Sequence, residues 1–111
     1  MNEFPDFMKN PANLIDKKSQ YTDGIEGYVF NGADGSQMVF WTCYQDSDLK
    51  KHAHDYDVYF VVVQGQYTVI MDGKENPVGA GQECHIPKGK PHSGRVVAGT
   101  RTINCFGGTR I

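Results

Sequence analysis

The sequence predicts an all-β domain, a double-sheet jelly-roll barrel (double-stranded β-helix) that follows an N-terminal arm. Thirteen glycines separate short runs rich in Val, Ile, Tyr, Phe and Thr, which is the composition of strands joined by tight turns. Helical periodicity is hardly visible along the chain. The turn signals delimit about eight short strands, and closing them into two packed sheets leaves fewer exposed strand edges than one open sheet.

The length of the chain indicates one domain. A chain of 111 residues and 12.4 kDa can bury most of its apolar surface around a single core. We place the arm at residues 1–20 and the barrel at residues 21–111. Pro5 and the dipeptide Asn10-Pro11 limit the arm to at most one short helical turn, near residues 12–15.

Turn signals place the individual strands. The first two are predicted at residues 27–30 and 37–44, joined as a hairpin by a segment rich in Asn, Asp and Gly. The mostly polar segment 45–51 is interpreted as a loop. The dipeptide Asp72-Gly73 is a strong signal for a tight hairpin turn after the strand at 66–71. The other strands are predicted at residues 58–63, 76–78, 83–86, 94–97 and 100–106.

Composition and charge exclude several classes of partner. Charged residues make up 22% of the chain and the formal net charge is −2, so no basic surface for nucleic acid is expected. No run approaches the roughly 18 apolar residues that a membrane-spanning helix needs, and no membrane partner is expected. The segment from Met1 to Asp6 lacks the positive start and apolar stretch of a secretory signal, which favours a cytoplasmic location.

The cysteines do not indicate disulfides or a thiolate metal site. Cys43, Cys84 and Cys105 form neither an even set nor a CxxC pair. In a reducing compartment each is interpreted as a small buried hydrophobe.

Histidines carry the strongest functional signal. His52 and His54 are two residues apart, and if they begin a strand their imidazoles point to the same side. This pair is a weak signal by itself, because such spacing also occurs by accident. Pro87 and Gly89 predict a tight turn that delivers His92 from a fixed direction. The alternative is that all three histidines are ordinary polar residues at strand ends.

The spacing of these residues resembles the two signature motifs of the cupin superfamily. The first is His52-x-His54 with Gly65 eleven residues on, and the second is Gly81-x5-Pro87-x-Gly89-x2-His92. The resemblance covers residues 46–96. It implies a β-barrel of the jelly-roll type with one divalent metal near its mouth, held by His52, His54 and His92. It also implies a homodimer, formed through sheet edges or exchanged N-terminal strands.

The sequence departs from the family pattern at the position of the metal-binding carboxylate, which falls on Val58. Asp57 is adjacent, but an offset of one residue in a strand points to the other face unless a bulge intervenes. Three neutral imidazoles leave the ion's charge uncompensated, so the site should favour an anionic, chelating ligand. Such a donor set suits Fe, Ni, Zn or Cu better than Mg or Ca. A valine at this position is equally compatible with a changed set of metal ligands and with a site that has lost its activity.

A substrate pocket is expected below the metal. Val58, Phe60 and Val62 share one face of their strand and should form an apolar wall. Tyr56 lies nearer the mouth, where its hydroxyl either approaches the metal or packs on the rim. Cys84 is expected to point inward.

Three functional hypotheses from different classes follow. The first is a three-histidine, metal-dependent enzyme of dioxygenase or isomerase type that acts on a small anionic chelating substrate. The second is a non-catalytic module that binds a small anion or sugar-like ligand, with the metal as an anchor. A purely structural role without metal is the third. The fold alone does not select among them.

Overall fold

Nine β-strands and two short 3-10 helices make up the described part of the chain, residues 3–16 and 24–111 of a computed structural model. The helices span Asp6–Met8 and Pro11–Asn13. The strands, in chain order, are β1 (Ile25–Asn31), β2 (Gln37–Cys43), β3 (Ser47–His52), β4 (Val58–Gln64), β5 (Gln66–Met71), β6 (Lys74–Gly79), β7 (Glu83–Ile86), β8 (His92–Val96) and β9 (Arg101–Phe106).

The strands form two sheets in which every pairing is antiparallel. One sheet has five strands in the order β1-β2-β9-β4-β7, and the other has four in the order β3-β8-β5-β6. Buried side chains of both sheets, such as Val39 and Val69, belong to one hydrophobic core. The predicted all-β jelly roll is therefore confirmed. No helix in the described ranges has the length and apolar character required to cross a bilayer.

Alternation along β4 builds the inner face of the five-stranded sheet. Val58, Phe60 and Val62 are 3%, 1% and 0% exposed, whereas Tyr59 between them is 42% exposed. Successive side chains of a strand point to opposite faces, so the three buried residues lie on the inward face, as their spacing predicts. Phe106 of β9 is paired with Val58 and continues this face.

The interpretation of segment 45–51 as a loop is wrong, because residues 47–52 form β3 and pair with β8. Half-buried Ser47 and Leu49 alternate with exposed Asp48 and Lys50. An antiparallel strand with one solvated face can carry charged side chains at every second position, which lowers its apolar content. The strand's polar composition concealed this alternation, and the structure has one strand more than expected.

The N-terminal arm packs on the barrel. Phe4 is 2% exposed and its ring centroid lies 5.7 Å from that of Phe40. Ile15 is a core residue whose backbone N–H donates to the Gly27 carbonyl oxygen at 2.9 Å. The arm has two helical turns where at most one was expected near residues 12–15, and Ile15 lies beyond the second, on the edge of β1. The expected boundary between residues 20 and 21 lies outside the described residues.

Two tight turns join strands at positions that require left-handed backbone. At the predicted Asp72-Gly73 turn, φ is 54° and 73°, and β5 and β6 form the expected hairpin. Gly65 connects β4 to β5 with φ of 83°. The buried Thr100 hydroxyl accepts from the Gln66 N–H at 3.1 Å and therefore holds this connection between the two sheets.

Replacing Gly65 with Ala should destabilise the fold more than replacing Gly81. Both glycines have φ of +83°, so both variants carry a similar backbone penalty of about 1–2 kcal/mol. A Cβ at Gly65 would also lie 2.7 Å from the Thr100 Cα, whereas a Cβ at Gly81 meets nothing within 4 Å. Overpacking of this kind costs about 1–3 kcal/mol. Urea unfolding measures both variants, and equal losses of unfolding free energy would contradict the assignment.

Candidate metal centre

Three histidine rings converge at one end of the barrel. His52 is the last residue of β3, His54 lies in the connection to β4, and His92 is the first residue of β8. One ring nitrogen of each lies within 4.8 Å of the corresponding nitrogens of the other two. The ring centroids are 4.6 Å apart for the first pair, 4.2 Å for His52 and His92, and 5.4 Å for His54 and His92. The three side chains can therefore hold a metal ion.

The convergence arises differently from the expected geometry. His52 and His54 do not begin one strand together, because β3 ends at His52 and β4 begins at Val58. Instead, His52 is the cross-strand partner of His92, after a register shift in β3 between Leu49 and His52. Directly opposed residues of antiparallel strands have Cβ atoms only about 5 Å apart. A cross-strand pair and one histidine from a loop thus make the cluster.

The turn at residues 87–89 is hydrogen-bonded to the segment that carries His54. The Gly89 N–H donates to the His54 carbonyl oxygen at 2.8 Å, and the Lys88 N–H donates to the Asp57 carboxylate at 2.6 Å. Asp57 is exposed and its carboxylate lies 3.6 Å from the ring of His85, also exposed. The Asp57 side chain therefore fastens this turn and is not among the residues of the cluster.

Hydrogen bonds set the tautomers of two rings. Nδ1 of His52 lies 2.6 Å from the Lys50 carbonyl oxygen, and Nδ1 of His92 lies 2.9 Å from that of Lys90. A carbonyl oxygen only accepts, so each Nδ1 carries the proton and each Nε2 offers its lone pair. Backbone carbonyls commonly orient metal-binding histidines in this way.

Tyr56 supports the third ring. Its hydroxyl lies 3.1 Å from Nδ1 of His54, and the two rings are stacked with centroids 4.9 Å apart. A hydroxyl both donates and accepts, so this contact permits the tautomer with a free Nε2. Tyr56 packs against the core and is not among the residues that line the cavity. Its hydroxyl thus contacts His54, one of the three candidate metal-binding residues.

Two of the three rings have a lowered pKa. Burial, the neighbouring His52 and the charge of Arg110 lower the pKa of His54 to about 4. Burial also lowers the pKa of His92. Neutral imidazole is the form that binds metal, and protons compete less for a ring with a low pKa. Within the described residues, the cluster contains no carboxylate, so the donor set fits Fe, Ni, Zn or Cu.

A cavity of about 740 Å³ extends from the cluster into the barrel. Val58 and Phe60 line it, together with Trp41, Tyr67 and Ile86. Cys84, which was expected in the pocket, is half-exposed and packs against the edge of the core without lining the cavity. The cavity wall beside the histidines is therefore apolar and aromatic, which is typical of a small-molecule pocket.

The sequence pattern did not indicate several polar residues that line the cavity. Thr102 and Asn104 are buried, line the cavity, and share a 2.7 Å hydrogen bond from the Thr102 hydroxyl to Asn104 Oδ1. The parity of β9 with inward Phe106 would have revealed them. Cys43 also lines the cavity, and burial raises the pKa of its thiol to about 11. Arg110 lies beyond the last strand, where no periodic signal reaches it.

The fold recurs in solved structures. KdgF from Halomonas sp. superposes with a TM-score of 0.70 at 19% identity, covering 78% of this chain and 81% of the other. An RmlC-like cupin from Shewanella frigidimarina gives 0.69 at 21% identity, covering 78% of both chains. The polyketide cyclase RemF from Streptomyces resistomycificus gives 0.64 at 20% identity, covering 76% of this chain and 65% of the other.

Sequence comparison identifies the family. No curated protein matches the chain. The cupin domain model matches residues 40–104, which is more than half of the chain and includes all three clustered histidines. The chain therefore belongs to the cupin family.

Proposed function

We propose that this cupin holds one divalent transition metal on His52, His54 and His92 and acts as a metal-dependent enzyme on a small anionic, chelating substrate. The observation that supports this proposal most is the convergence of three imidazoles beside a cavity of about 740 Å³. The metal is Fe, Ni, Zn or Cu, by the chemistry of the donors. The reaction is of dioxygenase or isomerase type.

The residues around the cluster support an anionic substrate. A bound ion would supply Lewis acidity and a template for a substrate with two oxygen donors. Val58 occupies the family's carboxylate position and is 3% exposed, so no acidic side chain there compensates positive charge. The apolar wall of Val58, Phe60 and Ile86 lowers the local dielectric constant and so strengthens electrostatic interactions with a ligand.

A second candidate function is a non-catalytic module that binds a small anion or a sugar-like ligand. It is favoured by the absence of a carboxylate from the cluster within the described ranges. Fold neighbours include a polyketide cyclase and a putative mannose-6-phosphate isomerase from Ralstonia eutropha. Their different chemistry means that the shared fold does not select a reaction.

Untagged protein should contain about one transition metal ion per chain, and His92→Ala should lose most of it, because removing one of three ligands opens the chelate. Elemental analysis by mass spectrometry measures both. His85→Ala is the matched control, since His85 is exposed and lies outside the cluster. A metal-free parent, or equal metal content in the parent and in His92→Ala, would contradict the proposed ligand set.

Turnover distinguishes the enzyme from the binding module. The parent loaded with Fe(II) is incubated with a panel of enolisable oxo-acids, with and without dioxygen, and substrate loss is followed by chromatography. The enzyme proposal expects loss of at least one acid, abolished in His92→Ala. Oxygen dependence indicates the dioxygenase type, and oxygen independence the isomerase type. Saturable binding without loss of any acid would favour the binding module.

We further propose a cytoplasmic homodimer. Free thiols at Cys43, Cys84 and Cys105 suit a reducing compartment. Met38 and Tyr59, each 42% exposed, present apolar surface on the outward face of the five-stranded sheet. Such surface is a candidate for contact with a second copy.

Sedimentation velocity should give the mass of two chains for the parent and of one chain for Met38→Glu, because a buried unpaired carboxylate opposes association. Val97→Glu is the control, since Val97 is 47% exposed and lies outside the strands. A parent that sediments as one chain at every concentration excludes the dimer.

A further inference from the structure

Arg110 enters the cavity from the segment that follows β9. Its guanidinium carbon lies 6.0 Å from the ring centroid of Trp41 and 5.6 Å from that of Phe106. All three residues line the cavity that contains the histidine cluster. At these distances the cation contacts the faces of aromatic rings, so the guanidinium lies against the aromatic wall of the cavity.

A buried amide holds the backbone at Arg110 in place. Gln37 is 4% exposed, and its Oε1 accepts from the backbone N–H groups of Arg110 at 2.7 Å and Ile111 at 2.9 Å. Its Nε2 donates to the Ile111 carbonyl oxygen at 2.9 Å. The Thr109 hydroxyl adds a bond to the Gly35 carbonyl oxygen at 3.0 Å. These bonds fix the backbone on either side, so the Arg110 side chain starts from a defined position.

Arg110 brings a positive charge to the cavity, and His52, His54 and His92 line the same cavity. Asp48 is the acidic residue among those lining the cavity, but it is exposed on β3 opposite Arg95 and contributes to the raised pKa of Arg95. The cavity lining therefore contains a guanidinium and three imidazoles, and among the described lining residues the one carboxylate is that of exposed Asp48.

The wall around Arg110 is aromatic. Trp41, Phe60, Tyr67 and Phe106 line the cavity, and the rings of Phe60 and Tyr67 lie 4.9 Å apart. Aromatic side chains favour offset or edge-to-face contacts with a flat ligand. At about 740 Å³, the cavity has room for a ring together with an acidic group.

We propose that Arg110 is the anion-binding residue of this cavity and that the ligand is an aromatic carboxylate. The carboxylate accepts two hydrogen bonds from the guanidinium, and the ring packs against Trp41, Phe60 and Phe106. This inference rests on the proposed function in one respect, that the cavity beside the histidines is the ligand site. It adds the substrate class and the residue that selects it.

Trp41 supplies the measurement, because it is the single tryptophan of the chain and lines the cavity. Trp41 fluorescence is titrated with 3-phenylpropanoate in metal-free and zinc-loaded protein. The parent should bind this anion more tightly than acetate or the neutral 3-phenylpropanamide. Arg110→Gln should weaken binding of the anion by about tenfold or more in both metal states, since hydrogen bonds to charged groups are strong. Its affinity for the amide should stay unchanged.

Two variants separate recognition from fold. Arg95→Gln removes the same charge from the outside of the barrel, where Arg95 pairs with Glu75 at 2.6 Å, and should leave binding unchanged. Arg110→Lys keeps the charge without the planar pair of donors and should bind the anion with intermediate affinity. An Arg110→Gln protein with the parent's thermal midpoint and amide affinity, but weaker anion binding, supports recognition by Arg110.

Several outcomes would overturn the inference. These are equal anion affinity of Arg110→Gln and the parent, equal binding of amide and anion by the parent, and no saturable signal from the parent at millimolar concentrations. The metal-free titration distinguishes this failure from that of the metal proposal. If the parent contains no metal but still prefers the anion, anion binding by Arg110 is supported and the metal proposal is not. If the parent contains metal but Arg110→Gln binds the anion as tightly as the parent does, only the metal proposal is supported.

Discussion

The site depends on hydrogen bonds that join two distant stretches of chain. The turn at residues 87–89 donates backbone N–H groups to the His54 carbonyl oxygen and to the Asp57 carboxylate. Meanwhile the start of β8 pairs with the end of β3, so that His92 faces His52. Each contact holds the segment that precedes or includes His92 against the segment that carries His52 and His54. Without them, His92 would lie on a segment apart from the one that carries His52 and His54, and the three rings would not converge.

Burial decides the chemistry of this cluster. Burial disfavours the charged form of an imidazole, so the pKa of His54 and His92 falls. Their ring nitrogens therefore stay available to bind a metal. The carbonyls of Lys50 and Lys90 orient two of the rings. Val58 and Arg110 line the same cavity, so an apolar wall and a positive charge lie beside the histidines.

The same strand faces build both the core and the cavity. On β4, Val62 is fully buried in the core, while Val58 and Phe60, on the same face, line the cavity beside the histidines. On β9, inward Thr102 and Asn104 share a hydrogen bond and form a polar spot in the cavity wall. A barrel whose packing is incomplete at one end thus provides a binding pocket without a separate domain.

By itself the sequence determined the features that depend on local periodicity and on fixed spacing. Alternation from Val58 to Val62 predicted the inward face of β4, Asp72-Gly73 predicted the β5–β6 hairpin, and the spaced motifs predicted the family. These signals are local because side-chain direction and turn conformation are set by neighbouring residues.

Only the tertiary structure decided the features that depend on pairing between distant segments. The charged segment β3 is identified as a strand by its pairing with β8, and that pairing places His52 opposite His92. Tyr56 lies against His54 outside the cavity wall, and Gln37 holds the segment that places Arg110 inside it. Such contacts join residues far apart in the chain, and no local pattern records which distant partner a polar side chain will meet.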